Sequence, residues 1–272
     1  MGVMLAGPGD VLGVAAAAVA ALMLALWALS VRIRDVSIVD PAWGPAFVVV
    51  AAASLIAGSG DPARRWVMLA LTAAWGLRLG AYLTVRKLGE LGREDRRYAA
   101  LRRRHGSRFP LWSLGAVFGV QAVLVMVVSL PIQVAAGRPG RLSALIAPGL
   151  ALFALGLAFE TLGDAQLRRF KADPANRGQV MDRGLWRYTR HPNYFGDACV
   201  WWGLWLVALP AGGTWWTAVG PATMTMLLVR VSGKALLERD IGRRRPGYAS
   251  YVRRTSGFIP LPPRAGARAG GE

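Results

Sequence analysis

Residues 11–31 read "VLGVAAAAVAALMLALWALSV", a run without one charged side chain. A membrane-spanning helix needs about 20 mostly apolar residues, and this run supplies them. The preceding "MGVMLAGPGD" lacks the basic start of a signal peptide, and the apolar run is too long for one, so it is read as a retained span. Ala6 stands where a myristoylation signal needs serine or threonine.

Working outward, similar runs lie near residues 42–59, 66–85, 111–134, 143–163, 195–211 and 214–232. The expectation is an all-α polytopic membrane protein with about seven transmembrane helices. "PAGG" joins the last two runs as a tight hairpin. The whole chain is 54% hydrophobic yet carries a formal net charge of +18, because its charges cluster between apolar runs. A soluble domain would spread them along amphipathic elements. The basic excess sits beside spans, which points to anionic lipid headgroups or an anionic cofactor rather than nucleic acid.

Lysine and arginine set the orientation. Arg64, Arg65, Arg138 and Arg141 are the basic residues following spans two and four, and none follows span six. Nearly all the others follow spans one, three, five and seven. The positive-inside rule then puts the N-terminus outside and the C-terminus in the cytoplasm. Residues 1–262 read as a single domain, with a substrate side near 11–134 and a cofactor side near 143–262. The Pro/Gly/Arg-rich end, 263–272, reads as a disordered tail. One cysteine, Cys199, and two histidines, His105 and His191, allow no internal disulfide and make a poor supply for a metal site.

The polar stretch "RYTRHPNYFGD" (187–197) interrupts this apolar chain. Lipid anchoring accounts for Arg187, Arg190, Tyr188 and Tyr194. It accounts poorly for Asn193 and Asp197, since a carboxylate at a membrane edge is costly unless it is partnered. Asp197 is read either as part of a site or as a helix cap. Upstream, Glu160, Asp164, Arg168 and Lys171 share one helical face, as a surface ion pair or as a pocket wall. Downstream, "ERDIGRRRPGYASYVRRTSGFIP" (238–260) reads as a lipid-binding tail or as a lid over a nucleotide. Neither G-x-G-x-x-G nor G-x-x-x-x-G-K-[ST] occurs, so a dinucleotide would be bound without a Rossmann domain.

"GLWRYTRHPNYFGD", "WWGLWL", "RRPGYASYVRRTSGFIP", "SIVDPAWG" and "WGLRLGAYLTVR…EDRRY" together resemble the bacterial branch of the steroid 5α-reductase family. Its superfamily includes sterol C14 and C7 reductases and the isoprenylcysteine and phospholipid methyltransferases. The resemblance spans about residues 30–262. Asn193, with Gly196-Asp197 after Tyr194, is similar to the reductases, and Glu238-Arg239 departs from the Glu-Glu pair of the methyltransferases.

The resemblance implies an NADPH-dependent reductase acting on the C4–C5 double bond of a 3-oxo-Δ4 steroid or a similar apolar enone. The alternative is an S-adenosylmethionine-dependent methyltransferase. It implies a cofactor site of Asp164, Arg168, Lys171, Tyr188, Asn193, Asp197 and Glu238, with Arg190 and His191 near the phosphates. Tyr248, Tyr251, Arg253 and Arg254 would close over the cofactor. A reducible enone also needs a donor for its carbonyl oxygen. Asp40 looks like the counterpart of a family glutamate, although Asp40-Pro41 also reads as an N-cap and N1 pair. Tyr82 is a second catalytic candidate. Trp75, Arg78 and Tyr82 share a face of span three, Asp40 or Glu160 is the expected partner of Arg78, and Trp43 and Trp75 would help line a substrate slot. The bacterial inner membrane is the expected location, with membrane lipids but no obligate protein partner.

Overall fold

The computed structural model describes residues 8–89, 94–231 and 247–264, and the regular elements among them are helices. Packing divides the chain into two compact units, Met1–Ile146 with Leu204–Gly220, and Ala147–Gly203 with Pro221–Glu272.

The first unit holds α1 (Pro8–Ile33), α2 (Val39–Ala57), α3 (Pro62–Leu88), α4 (Arg96–His105), α5 (Phe109–Ser113), α6 (Val120–Val128) and α7 (Leu130–Ala136). Along α1, Val11, Ala15, Val19 and Met23 are buried at steps of four, one stripe of the helix. Between α2 and α3 the backbones nearly touch: a Cβ on Gly44 would lie 2.3 Å from the Gly76 carbonyl oxygen. Small residues permit this approach, the usual basis of helix packing in lipid.

Helix ends are set locally. Asp61 caps α3, its carboxylate accepting from the Arg64 N–H at 2.9 Å, with Pro62 at the first position. Arg64 itself is 1% exposed, and its guanidinium donates to the carbonyls of Ala135 (3.0 Å), Arg138 and Gly140. It thereby supplies donors to carbonyls left over at the end of α7. The fourth expected run is broken near Ser129, whose hydroxyl donates to the Val125 carbonyl at 2.5 Å, just before Pro131.

The second unit holds α8 (Ala147–Ala172), the start of α9 (Pro192–Ala208), most of α10 (Val219–Met226) and α11 (Tyr248–Arg254). A Cβ on Gly196 of α9 would lie 2.5 Å from the Gly156 carbonyl oxygen of α8. The indole N–H of Trp202 donates to Thr225 Oγ1 at 3.2 Å, joining α9 to α10.

Gly9–Ile33, Val36–Ala57, Pro62–Leu88, Arg96–Val128 and Ala144–Ala172 are long and apolar enough to cross a membrane. Their outward faces carry Leu24, Leu77, Leu111, Val123 and Leu162, each more than half exposed. Such apolar surface suits lipid rather than water, and the molecule is a helical membrane protein. The sixth expected run is the 17-residue α9. The seventh is helical but changes winding, from a 3₁₀ turn at Trp215–Ala218 through α10 to a π turn at Leu227–Val231.

Candidate functional site

The buried stripe of α8 runs Gly149, Phe153, Gly156, Glu160, Gly163, Asp164. Glycine lets α9 approach, and further along the same stripe two carboxylates are enclosed: Glu160 is 3% exposed and Asp164 4%. From α9, Asn193 donates its side-chain amide to Asp164 Oδ1 at 3.2 Å. His191 is buried, its ring stacked on Tyr194 with centroids 5.3 Å apart and planes 3° from parallel. Asp197 is buried in the second turn of a helix that begins at Pro192, so it does not cap that helix. The expected four-residue face of α8 therefore divides. Glu160 and Asp164 are enclosed, whereas Arg168 and Lys171 are exposed.

The C-terminal segment is strapped to the "WRYTRHP" turn. Thr189 and Ser256 form a parallel bridge, and the Arg190 N–H donates to the Ser256 carbonyl at 2.9 Å. The Thr189 hydroxyl donates to the Phe258 carbonyl at 2.7 Å, and the Leu261 N–H to the Tyr188 carbonyl at 3.0 Å. The Tyr251 hydroxyl donates to the Trp186 carbonyl at 2.5 Å. Trp186 in turn donates its indole N–H to the Gly163 carbonyl at 3.1 Å.

The structure places the other expected cofactor residues as follows. Arg190, anticipated beside phosphates, is buried, and its Nη1 donates to the carbonyls of Val252 (3.1 Å) and Thr255 (2.6 Å), at the end of α11. Tyr248 and Tyr251, anticipated over a nucleotide, are buried with ring centroids 6.0 Å apart. Burial also pushes the Tyr251 phenol pKa up from its ordinary value. Arg254 is paired with Asp182. Tyr188 and Arg253 remain exposed. Glu238 lies outside the described residues.

A second polar cluster belongs to the first unit. Asp40 sits in the first turn of α2, whose N-cap is Ile38, so the N-cap reading of Asp40 fails. Its carboxylate accepts from the Tyr98 hydroxyl at 2.9 Å and pairs with Arg97 at 3.1 Å. These, and not Arg78, are its partners. Beside it, Lys87 pairs with Asp35 at 2.7 Å and donates to the Ser37 hydroxyl at 2.6 Å. Burial opposes ionisation of Asp35, but hydrogen bonds from Lys87 and Ser37 and the Lys87 charge hold its pKa below the usual carboxylate value. A small, solvent-open cleft lies here, lined by Ser37, Asp40, Pro41, Leu83, Arg86, Lys87 and Asp95.

The expected substrate-side residues separate. Trp75 has no exposed surface and packs against Phe47 (centroids 5.6 Å apart), which also meets Trp43 (5.2 Å). This is a packed aromatic core. Arg78 and Tyr82 are half-buried further along α3. Sequence reading passed over Tyr98 and Arg97 as functional residues. "EDRRY" exposed them as a motif, but nothing local reports a contact with Asp40, 58 residues away from Tyr98.

Apolar helices enclosing carboxylates, an amide and an imidazole define a polytopic membrane protein with a polar site in its helical bundle. Residues 26–255 match DUF1295, a family described as of unknown function. The chain belongs to that family, which is part of the steroid 5α-reductase-like superfamily. No curated protein and no solved structure matches the chain.

Proposed function

We propose that this protein is an NADPH-dependent reductase of apolar enones, 3-oxo-Δ4 steroids among them. In this reading it has about seven spans, its N-terminus outside and its C-terminus in the cytoplasm, in a bacterial inner membrane. The observation that carries the reading is the hydrogen bond from Asn193 to Asp164, made where α8 and α9 enclose Glu160, Asp164 and Asp197.

The donor set fits a dinucleotide. Buried carboxylates accept hydrogen bonds from ribose hydroxyls and a carboxamide N–H, and Asn193 both donates and accepts. The exposed Arg168, Lys171 and Arg253 supply charged donors for phosphate oxygens. Arg190 acts on the protein instead, holding α11 to the motif. Bound NADPH would supply the hydride. The substrate carbonyl needs a hydrogen-bond donor as enolate charge develops. Asp40 accepts hydrogen bonds as placed, and the single Tyr98 hydroxyl proton is committed to it, so Tyr82 is the phenol proposed as donor to the carbonyl.

A second reading is favoured by one observation. The same buried carboxylates, Glu160, Asp164 and Asp197, suit the sulfonium and ammonium charges of S-adenosylmethionine, as in a membrane methyltransferase. Progesterone or testosterone incubated with NADPH and purified protein decides between them. Formation of the 5α-dihydro product supports the reductase. Methyl transfer to an isoprenylcysteine or phospholipid acceptor, without reduction, rejects it.

A further inference from the structure

Helix α4 has two faces with different chemistry. At about 100° per residue, Arg97, Tyr98, Leu101, Arg102 and His105 share one side, and Arg96, Ala99, Ala100, Arg103 and Arg104 share the other. The inner side is engaged. Arg97 and Tyr98 hold Asp40, Arg102 pairs with Glu94 at 2.7 Å and lies 4.4 Å above the Phe109 ring, and His105 stacks on Trp112 with centroids 4.2 Å apart. On the outer side Arg96, Arg103 and Arg104 are exposed, as is Arg108 just beyond the helix. None of these four guanidinium groups forms an ion pair with a described residue.

The placement of this face names its partner. After a turn at Gly106 (φ 54°), α4 leads into the helical run that continues to Val128, and the later part of Arg96–Val128 is apolar enough to cross a membrane. A helix leading directly into such a stretch lies at headgroup level, where anionic lipid phosphates gather and basic side chains bind them. Arginine matches phosphate oxygens in a bidentate manner.

We propose that the outer face of α4 is an anionic-phospholipid binding surface, and that lipid bound there steadies the inner face that grips Asp40. The outer arginines repel one another, and their neutralisation by phosphate removes that strain from the helix. Lipid composition thereby sets how firmly Arg97 and Tyr98 are held against Asp40. The proposal is independent of the reductase reading, and its test needs no substrate.

The experiment is amide hydrogen exchange on the full chain in nanodiscs. One set is phosphatidylcholine alone, and the other contains about a third phosphatidylglycerol. Peptides covering 96–105 are expected to exchange at least about tenfold more slowly in the anionic discs, an effect that fades at high salt. Arg96→Gln/Arg103→Gln/Arg104→Gln should abolish the difference between discs. Arg97→Gln, on the inner face, should speed exchange in both discs and preserve the difference. Equal exchange of wild-type α4 in the two discs overturns the proposal. So does an undiminished difference in the triple variant, which would place the lipid elsewhere. Inorganic phosphate added to neutral discs tests the free anion, and full protection by phosphate alone would also contradict a lipid surface.

Discussion

The two polar clusters handle charge in opposite ways. In the first unit the carboxylates of Asp35, Asp40, Glu94 and Asp95 meet Lys87, Arg97 and Arg102 across short distances, in a network open to solvent at Arg97. In the second, Glu160, Asp164 and Asp197 are enclosed between glycine-packed helices, while Arg190 turns to backbone carbonyls. Half-exposed ion pairs contribute little to stability. Buried carboxylates cost a great deal, and polar groups inside a membrane protein mark function by default. In the proposed reading, cofactor binding falls to the second unit and local geometry around Asp40 to the first.

The largest expected effect breaks the second cluster at its base. Gly196→Leu drives a side chain into the Gly156 carbonyl and should destabilise the protein by about 3 kcal/mol or more. Thermal unfolding in detergent would show the loss, and an unchanged melting temperature would mean that the helices are not so closely packed. Next is Arg190→Ala, which strips donors from the Val252 and Thr255 carbonyls. It should cost about 2–3 kcal/mol and raise amide exchange across 248–261. If it instead weakened NADPH binding with exchange unaltered, Arg190 would belong to the phosphate site after all.

Smaller effects sharpen the assignment. Asp197→Ala and Asn193→Ala should each weaken NADPH binding by about tenfold, roughly one lost hydrogen bond to a charged or polar group. Their melting temperatures should stay close to wild type, and a matching loss of fold would make both residues structural. Tyr82→Phe and Asp40→Asn should lower turnover while NADPH affinity is kept. Equal loss of both properties would point to a structural network.

The smallest effect is a pH dependence of the first cluster. The Asp35 and Asp95 carboxyls titrate below their ordinary values, Asp95 because hydrogen bonds from Arg97 outweigh its burial. A depressed carboxylate stabilises the fold above the unfolded pKa of about 3.9, and that contribution disappears as pH falls through the folded value. Screened as it is, Asp35 should be worth about 0.5 kcal/mol. Unfolding curves of Asp35→Asn should therefore differ from wild type at pH 7 and converge with it in acid.

Much of the helical framework was legible because lipid imposes long apolar runs. Most of each expected run is helical among the described residues, and five helices are long and apolar enough to span a membrane; the polar side of α8 showed itself through the spacing of Glu160 and Asp164. The break at Ser129–Pro131 was hidden inside one apolar run. The site was legible as composition but not as partnership. Arg190 looks like a phosphate ligand in sequence, and only the fold brings the end of α11 to it. Asp40-Pro41 looks like a cap, yet the helix starts at Val39 because Asp35 and Ser37 form the preceding turn. The Asp40–Tyr98 bond joins distant parts of the chain, which no local pattern encodes.

The measurement that tests the central claim most directly is cofactor choice. Purified wild type and Asn193→Ala would be titrated with NADPH, NADH and S-adenosylmethionine by calorimetry. The account predicts binding of NADPH in preference to NADH, weakened in Asn193→Ala, and no heat from S-adenosylmethionine. S-adenosylmethionine binding alone, or NADPH affinity indifferent to Asn193, would contradict it.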